Sequence, residues 1–292
     1  MKTVSKAAGW ILLGALVLAV PAVAQQQQQP PPQQQPQQPQ GQQPQGQQPG
    51  LTMGQTQPSP EEMAAVTQIM QTADLDQRLG LIQDFLAKYP NSLLVGRAYA
   101  AAADAYRKKN KYAQTIEYGE KAIETSPKDA YSMILVADSL AESAVPTQID
   151  YKERLTRSET YCRRALEILP EHFAAIKRPG VPEEQYVAAQ QQMEALSRAI
   201  LGYVHLRRGE NAQAVEELNK AIQTPSFQAQ PLDYYRLGLA YKRQGQMKEA
   251  ESALQHCGQG SAGGFSDCQK QLDAVRQSLG SAAPAPAPEK KP

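Results

Sequence analysis

The sequence is poor in what site chemistry requires. Its 292 residues include three His, three Cys and one Trp, and its formal charge is +1 at neutral pH. With almost no net charge and no basic stripe, nucleic acid is excluded as a partner. His172, His205 and His256 are scattered, so no acid–base constellation forms around them. His256 beside Cys257, with Cys268 downstream, lacks the paired C-x-x-C spacing of a zinc site. There is no C-x-x-C-H haem attachment, no Gly-rich phosphate loop and no G-x-S-x-G elbow. No metal or cofactor is expected, and no enzyme. N-x-S/T sequons are absent as well, which fits a bacterial source.

A long apolar run is also missing. The nearest is Ala7–Val20, behind Lys2 and Lys6 and short of the roughly 20 residues that span a bilayer. Pro21 and the small-x-small Ala22-Val23-Ala24 follow, so residues 1–24 read as a secretory signal cleaved after Ala24. Retention as an uncleaved anchor is the alternative, and only then would the chain contact a membrane. Cleavage leaves 28 basic against 29 acidic side chains, and a periplasmic or secreted location is expected. Residues 25–59 form a charge-free Gln/Pro linker; the span 25–60 holds eighteen Gln and nine Pro. Such a segment buries too little apolar area to offset its ordering entropy, so disorder is expected.

What is present is a repeat. Leu201-Gly202 recurs as Leu237-Gly238, Gly209 as Gly245, Ala214 as Ala250 and Ala221 as Cys257, all offset by 36 residues. Apolar stripes predict helices over Arg198–Arg208 and Tyr234–Arg243, with partners over Val215–Ile222 and Lys248–His256. Small residues sit where paired helices must cross closely, and Gly209 and Gly245 make the turns between them. Tyr234, Leu237, Gly238, Tyr241, Gly245 and Ala250 match Y-x-x-L-G-x-x-Y…G…A. The pattern resembles the tetratricopeptide repeat, a helix–turn–helix unit of about 34 residues. The resemblance implies an all-α solenoid of antiparallel helix pairs wound into a right-handed superhelix.

Earlier copies are less regular. Residues 60–92 read as a degenerate first hairpin that starts at Ser59-Pro60-Glu61-Glu62, and residues 93–280 as further repeats. Tyr99–Pro127 is a clear copy with Asn110 at its turn; the next opens at Met133. Insertions are expected near 142–156 and 171–194. The first delays the second helix to about Arg157. The second, containing Pro179-Gly180-Val181-Pro182, breaks the chain over His172–Pro182. A long helix then runs from Glu183 to Arg208, Ser266–Leu279 caps the stack, and residues 281–292 form a Pro-rich extended tail.

Members of this family use the first helices of the pairs to line a concave groove that grips a peptide or a partner's helix. Carried over by position, the groove would comprise Arg97, Ala100, Asp104 and Arg107, then Tyr131, Ile134 and Asp138. Ala199, Tyr203 and Leu206 would follow, then Leu232, Tyr235, Leu239 and Lys242. Ala100, Asp104, Ile134 and Asp138 stand where chaperone-tail binders hold Lys and Asn, so that activity is not implied. Tyr131, Tyr203 and Tyr235 on an apolar floor suit a hydrophobic or Pro-rich segment. The expected function is a non-catalytic interaction module of the bacterial periplasm or envelope; the alternative is a spacer acting through its disordered segments. In an exported chain, Cys257 and Cys268 are expected to form a disulfide across a Gly-rich loop, leaving Cys162 reduced and buried.

Overall fold

The computed structural model describes residues 57–259 and 266–281. The signal-like segment, nearly all of the Gln/Pro tract and the Ala-Pro tail lie outside the described residues. The helices are α1 Pro60–Gln71, α2 Leu75–Lys88, α3 Val95–Lys108, α4 Tyr112–Thr125, α5 Ala130–Ser143 and α6 Tyr151–Ile176. They continue as α7 Glu183–Arg208, α8 Asn211–Ile222, α9 Pro231–Arg243, α10 Met247–Gln259 and α11 Ser266–Ser281. Among the described residues there is no strand.

Local chemistry sets several of these boundaries. Ser59 Oγ accepts from the Glu62 amide (3.2 Å) while Glu62 Oε2 accepts from the Ser59 amide (2.6 Å), a reciprocal cap behind Pro60. Asp74 caps α2 through the Gln77 amide at 2.8 Å. Gly245 turns α9 into α10 with φ +79°, a conformation that a Cβ would strain. Gly238 serves a different need: a Cβ there would lie 2.7 Å from Leu254 Cγ, so its hydrogen lets α9 and α10 close. Gly202 and Gly209 repeat both roles between α7 and α8.

Each helix packs against the next in sequence, giving a stack of hairpins. The odd-numbered helices α1, α3, α5, α7, α9 and α11 also touch one another in succession, whereas the even-numbered ones make no comparable contact. In a curved stack the elements that crowd together are on the inside, so the odd-numbered helices line the concave face. The main core lies at mid-stack, around Met133, Leu140, Leu155, Leu169, Leu201 and Val204. This is a tetratricopeptide-type helical solenoid.

The insertions differ from expectation. The first is the short loop 144–150, and α6 starts at Tyr151 rather than near Arg157. The second does not break the chain at His172. Helix α6 passes through Pro170, which is exposed, and reaches Ile176, because Phe173 is buried in the core. The non-helical link is 177–182, and the Arg178 amide donates to Tyr186 Oη at 2.8 Å across it. Most of the second insertion is therefore an extension of both arms of one hairpin.

Candidate functional site

The groove positions assigned from the sequence do not form one surface. On α3 and α5 they are mostly engaged inside the protein. Asp104 accepts from Arg78 of α2 (3.3 Å), Lys108 (2.7 Å) and the Tyr131 hydroxyl (2.7 Å). Burial, together with Asp104, pushes the Tyr131 hydroxyl pKa well up. Arg107 donates through Nε to Asp138, and both are buried. Burial lifts the Asp138 carboxyl above its usual range against the pull of Arg107. Ile134 has no exposed surface and belongs to the core, not to a groove. Arg97 is exposed. Glu117 pairs with Lys121 on an exposed face, whereas Asp104 and Asp138 hold their partners in buried ion pairs.

The C-terminal positions do converge. Tyr203, Leu206, Leu232, Tyr235 and Leu239 line one cleft of about 510 Å³, in the range of ligand-binding cavities. Pro146 of the first insertion, Tyr151 at the start of α6, Arg207, Arg236, Arg243, Glu142 and Asp267 complete its wall. Tyr203, Tyr235, Leu232 and Leu239 are half-buried, so their rings and methyls form an accessible apolar floor; Leu206 is buried. Ala199, assigned to the same layer, is also buried. Lys242 reaches α11 and donates to Gln271 Oε1 at 2.8 Å.

The residues that build this wall carry no repeat signal. Arg236 of α9 donates to Glu142 of α5, with its guanidinium carbon 3.7 Å from the centre of the Tyr203 ring of α7. Arg236 and Glu142 have side chains only 9% and 7% exposed. Burial opposes the charge on Arg236, while Glu142 and Tyr203 restore it, and its pKa ends raised. Arg207 lies against the Tyr151 and Tyr203 rings (5.4 and 5.3 Å). It donates to Tyr203 Oη at 2.6 Å and to the Ala144 carbonyl. Arg243 donates to the Leu206 carbonyl at 2.9 Å.

His205 is buried with Nδ1 2.5 Å from Glu210 Oε2, a pair that binds the end of α7 to the turn behind it. A second hollow, beside Glu194, Arg198 and Lys220, is lined by paired charges and offers no apolar floor. No group of His, Cys, Asp and Glu among the described residues could hold a metal ion. Cys257 and Cys268 are paired with Cα atoms 6.0 Å apart, joining α10 to α11. Cys162 is buried, which pushes its thiol pKa well up.

Residues 96–129 and 234–257 match the tetratricopeptide repeat family. These are the α3–α4 and α9–α10 hairpins. Among solved structures, a thermophilic TPR protein of Thermus thermophilus is 15% identical, with a TM-score of 0.48, covering 74% of this chain and 98% of its own. The hetero-tetramer Cut9-Hcn1 of the APC/C supplies a chain that is also 15% identical, with a TM-score of 0.38. That match covers 75% of this chain and 42% of its own. No curated protein matches.

Proposed function

We propose that this protein is a non-catalytic interaction scaffold that holds an extended protein segment in the cleft between α7 and α9. The observation that carries this reading is the half-exposed floor of Tyr203, Leu232, Tyr235 and Leu239, kept open by buried charge pairs around it. Aromatic rings on a rigid wall give contact area at little entropic cost, and such positions dominate binding energy. The repeat match adds a general reason, since stacked repeats present extended concave surfaces for binding.

The scaffold acts after export, in the periplasm or envelope of a bacterium. Support for this comes from the sequence: the basic start, the apolar run and Ala22-Val23-Ala24. The Cys257–Cys268 pair suits an oxidising compartment. A photo-crosslinking residue in place of Leu239 in the full chain tests the site. It should capture a discrete partner in intact cells, whereas the same residue at Glu216, on the exposed side of α8, should not. Equal capture from both positions, or none from Leu239, would refute the cleft.

A further inference from the structure

Two arginines in the cleft have no acid to answer them. Glu142 is engaged by Arg236, and Asp267 stands exposed in the first turn of α11, where the helix dipole favours an acid. Arg207 and Arg243 remain. Among the described residues no carboxylate pairs with either, and the acceptors they reach are the Tyr203 hydroxyl and the carbonyls of Ala144 and Leu206. Three basic and two acidic side chains line the cleft, so it keeps one positive charge beside an apolar floor.

Arg207 is also held in place by parts outside the repeat pattern. Its guanidinium lies against the Tyr151 and Tyr203 rings and donates to the Ala144 carbonyl, while Tyr151 Oη donates to the Arg207 carbonyl at 2.8 Å. Ala144 and Tyr151 stand at the two ends of the first insertion, so that loop fixes one arginine at the cleft. A planar guanidinium stacked on rings keeps its remaining N–H groups in a set fork, which a carboxylate matches at little ordering cost. We infer that the partner's segment carries an Asp or Glu side chain that binds between Arg207 and Arg243, with two apolar side chains of the same segment on Tyr235 and Leu239. The inference rests on the cleft being the binding site, and it adds the chemistry of the partner.

The spacing follows from α9. Tyr235, Leu239 and Arg243 line the cleft at four-residue steps, which places them about 6 Å apart along one helix face. An extended segment advances about 6.6 Å every two residues and points alternate side chains the same way. Its three contacts therefore fall at every second position: apolar, apolar, acid. The acid is a side chain and not a chain terminus. A terminal carboxylate is captured by backbone amides in a nest, whereas the backbone groups bonded to these arginines are the carbonyls of Ala144 and Leu206.

Selection of a displayed library of short random peptides, each closed by a constant linker, on the full chain tests this. Enriched sequences should carry Asp or Glu two residues from one apolar residue and four from another. In one such peptide, made synthetically, exchanging the acid for its amide should weaken binding to wild type about three- to tenfold. Arg243→Glu should reverse the preference, so that a peptide with Lys in place of the acid binds this variant more tightly than the original peptide does. A merely structural loss would weaken both peptides alike, and that result would overturn the proposal. So would no enrichment, enrichment without an acid at this spacing, or binding that needs a phosphate or a free carboxy terminus. Photo-capture at Leu239 depends on none of these preferences, so the two readings fail separately.

Discussion

Arg236 and Glu142 stand 94 positions apart and meet across the ring of Tyr203. One side chain thus ties α9 to α5 over the helix between them. The strut sits at the edge of the cleft, and it bounds the apolar floor on the side of α5.

Breaking it is expected to be costly. Glu142→Ala strands a buried guanidinium and should lower stability by about 3–5 kcal/mol. Replacing both residues with apolar ones, Glu142→Leu with Arg236→Met, should recover most of that loss. Urea unfolding of Glu142→Leu, Arg236→Met and the double variant measures the coupling. Additive single losses would show that the pair contributes no coupling.

The two glycines of the last hairpin should respond for separate reasons. Gly238→Ala forces a methyl against the fully buried Leu254 and should cost about 1–3 kcal/mol. Gly245→Ala meets no neighbour, so only its φ of +79° matters, and about 1–2 kcal/mol is expected. Gly245→Asn should be milder than Gly245→Ala, since Asn tolerates that region; the Gly238 site should show no such preference. Thermal melts of Gly238→Ala, Gly238→Asn, Gly245→Ala and Gly245→Asn against wild type decide this.

These glycines were legible in the sequence because each carries a constraint that recurs at fixed spacing. The bounds of α7, from Glu183 to Arg208, follow from its start signals and Gly209 in the same way. The cleft was half legible. Tyr203, Leu206, Tyr235 and Leu239 came from repeat position, but Tyr151, Arg207 and Arg236 obey no period and reach partners far along the chain. The same blindness placed Asp104, Arg107 and Asp138 on a groove. Position in the repeat names a face, but it does not reveal that the face is sealed by its own ion pairs. The break was drawn too early, at His172, because Pro179-Gly180-Val181-Pro182 does not reveal that burial of Phe173 carries α6 on to Ile176, past Pro170 and its one lost hydrogen bond.

Acid should loosen α1 first. Hydrogen bonds from the Ser92 side chain, then from Ser59, hold the Glu62 carboxyl below its ordinary value. A depressed folded pKa gives stability that is present above the unfolded value. It is lost as pH falls from the ordinary glutamate range, about 4.3, through the folded value. Hydrogen exchange in residues 60–71 should therefore accelerate over that window, and Glu62→Gln should remove the dependence. An unchanged profile in the variant would assign the effect to another group.

The cysteines give a count. Unfolded but unreduced protein should show one free thiol, Cys162, with Cys257 and Cys268 bridged; three free thiols would refute the bridge. In the folded state Cys162 should resist alkylation, since it is buried and its thiol pKa is pushed up.

The central claim is that the α7–α9 cleft, and not the whole concave face, holds the partner. Its most direct measurement is the affinity of the captured partner for three full-length chains: wild type, Tyr235→Ala with Leu239→Ala, and Arg97→Ala. The cleft variant should bind at least about tenfold more weakly while still unfolding cooperatively, at a somewhat lower melting temperature because both side chains also pack on the cores beneath the cleft. Arg97→Ala, exposed on α3, should bind as wild type does. Undiminished binding by the cleft variant, or an equal loss in both variants, would contradict the account.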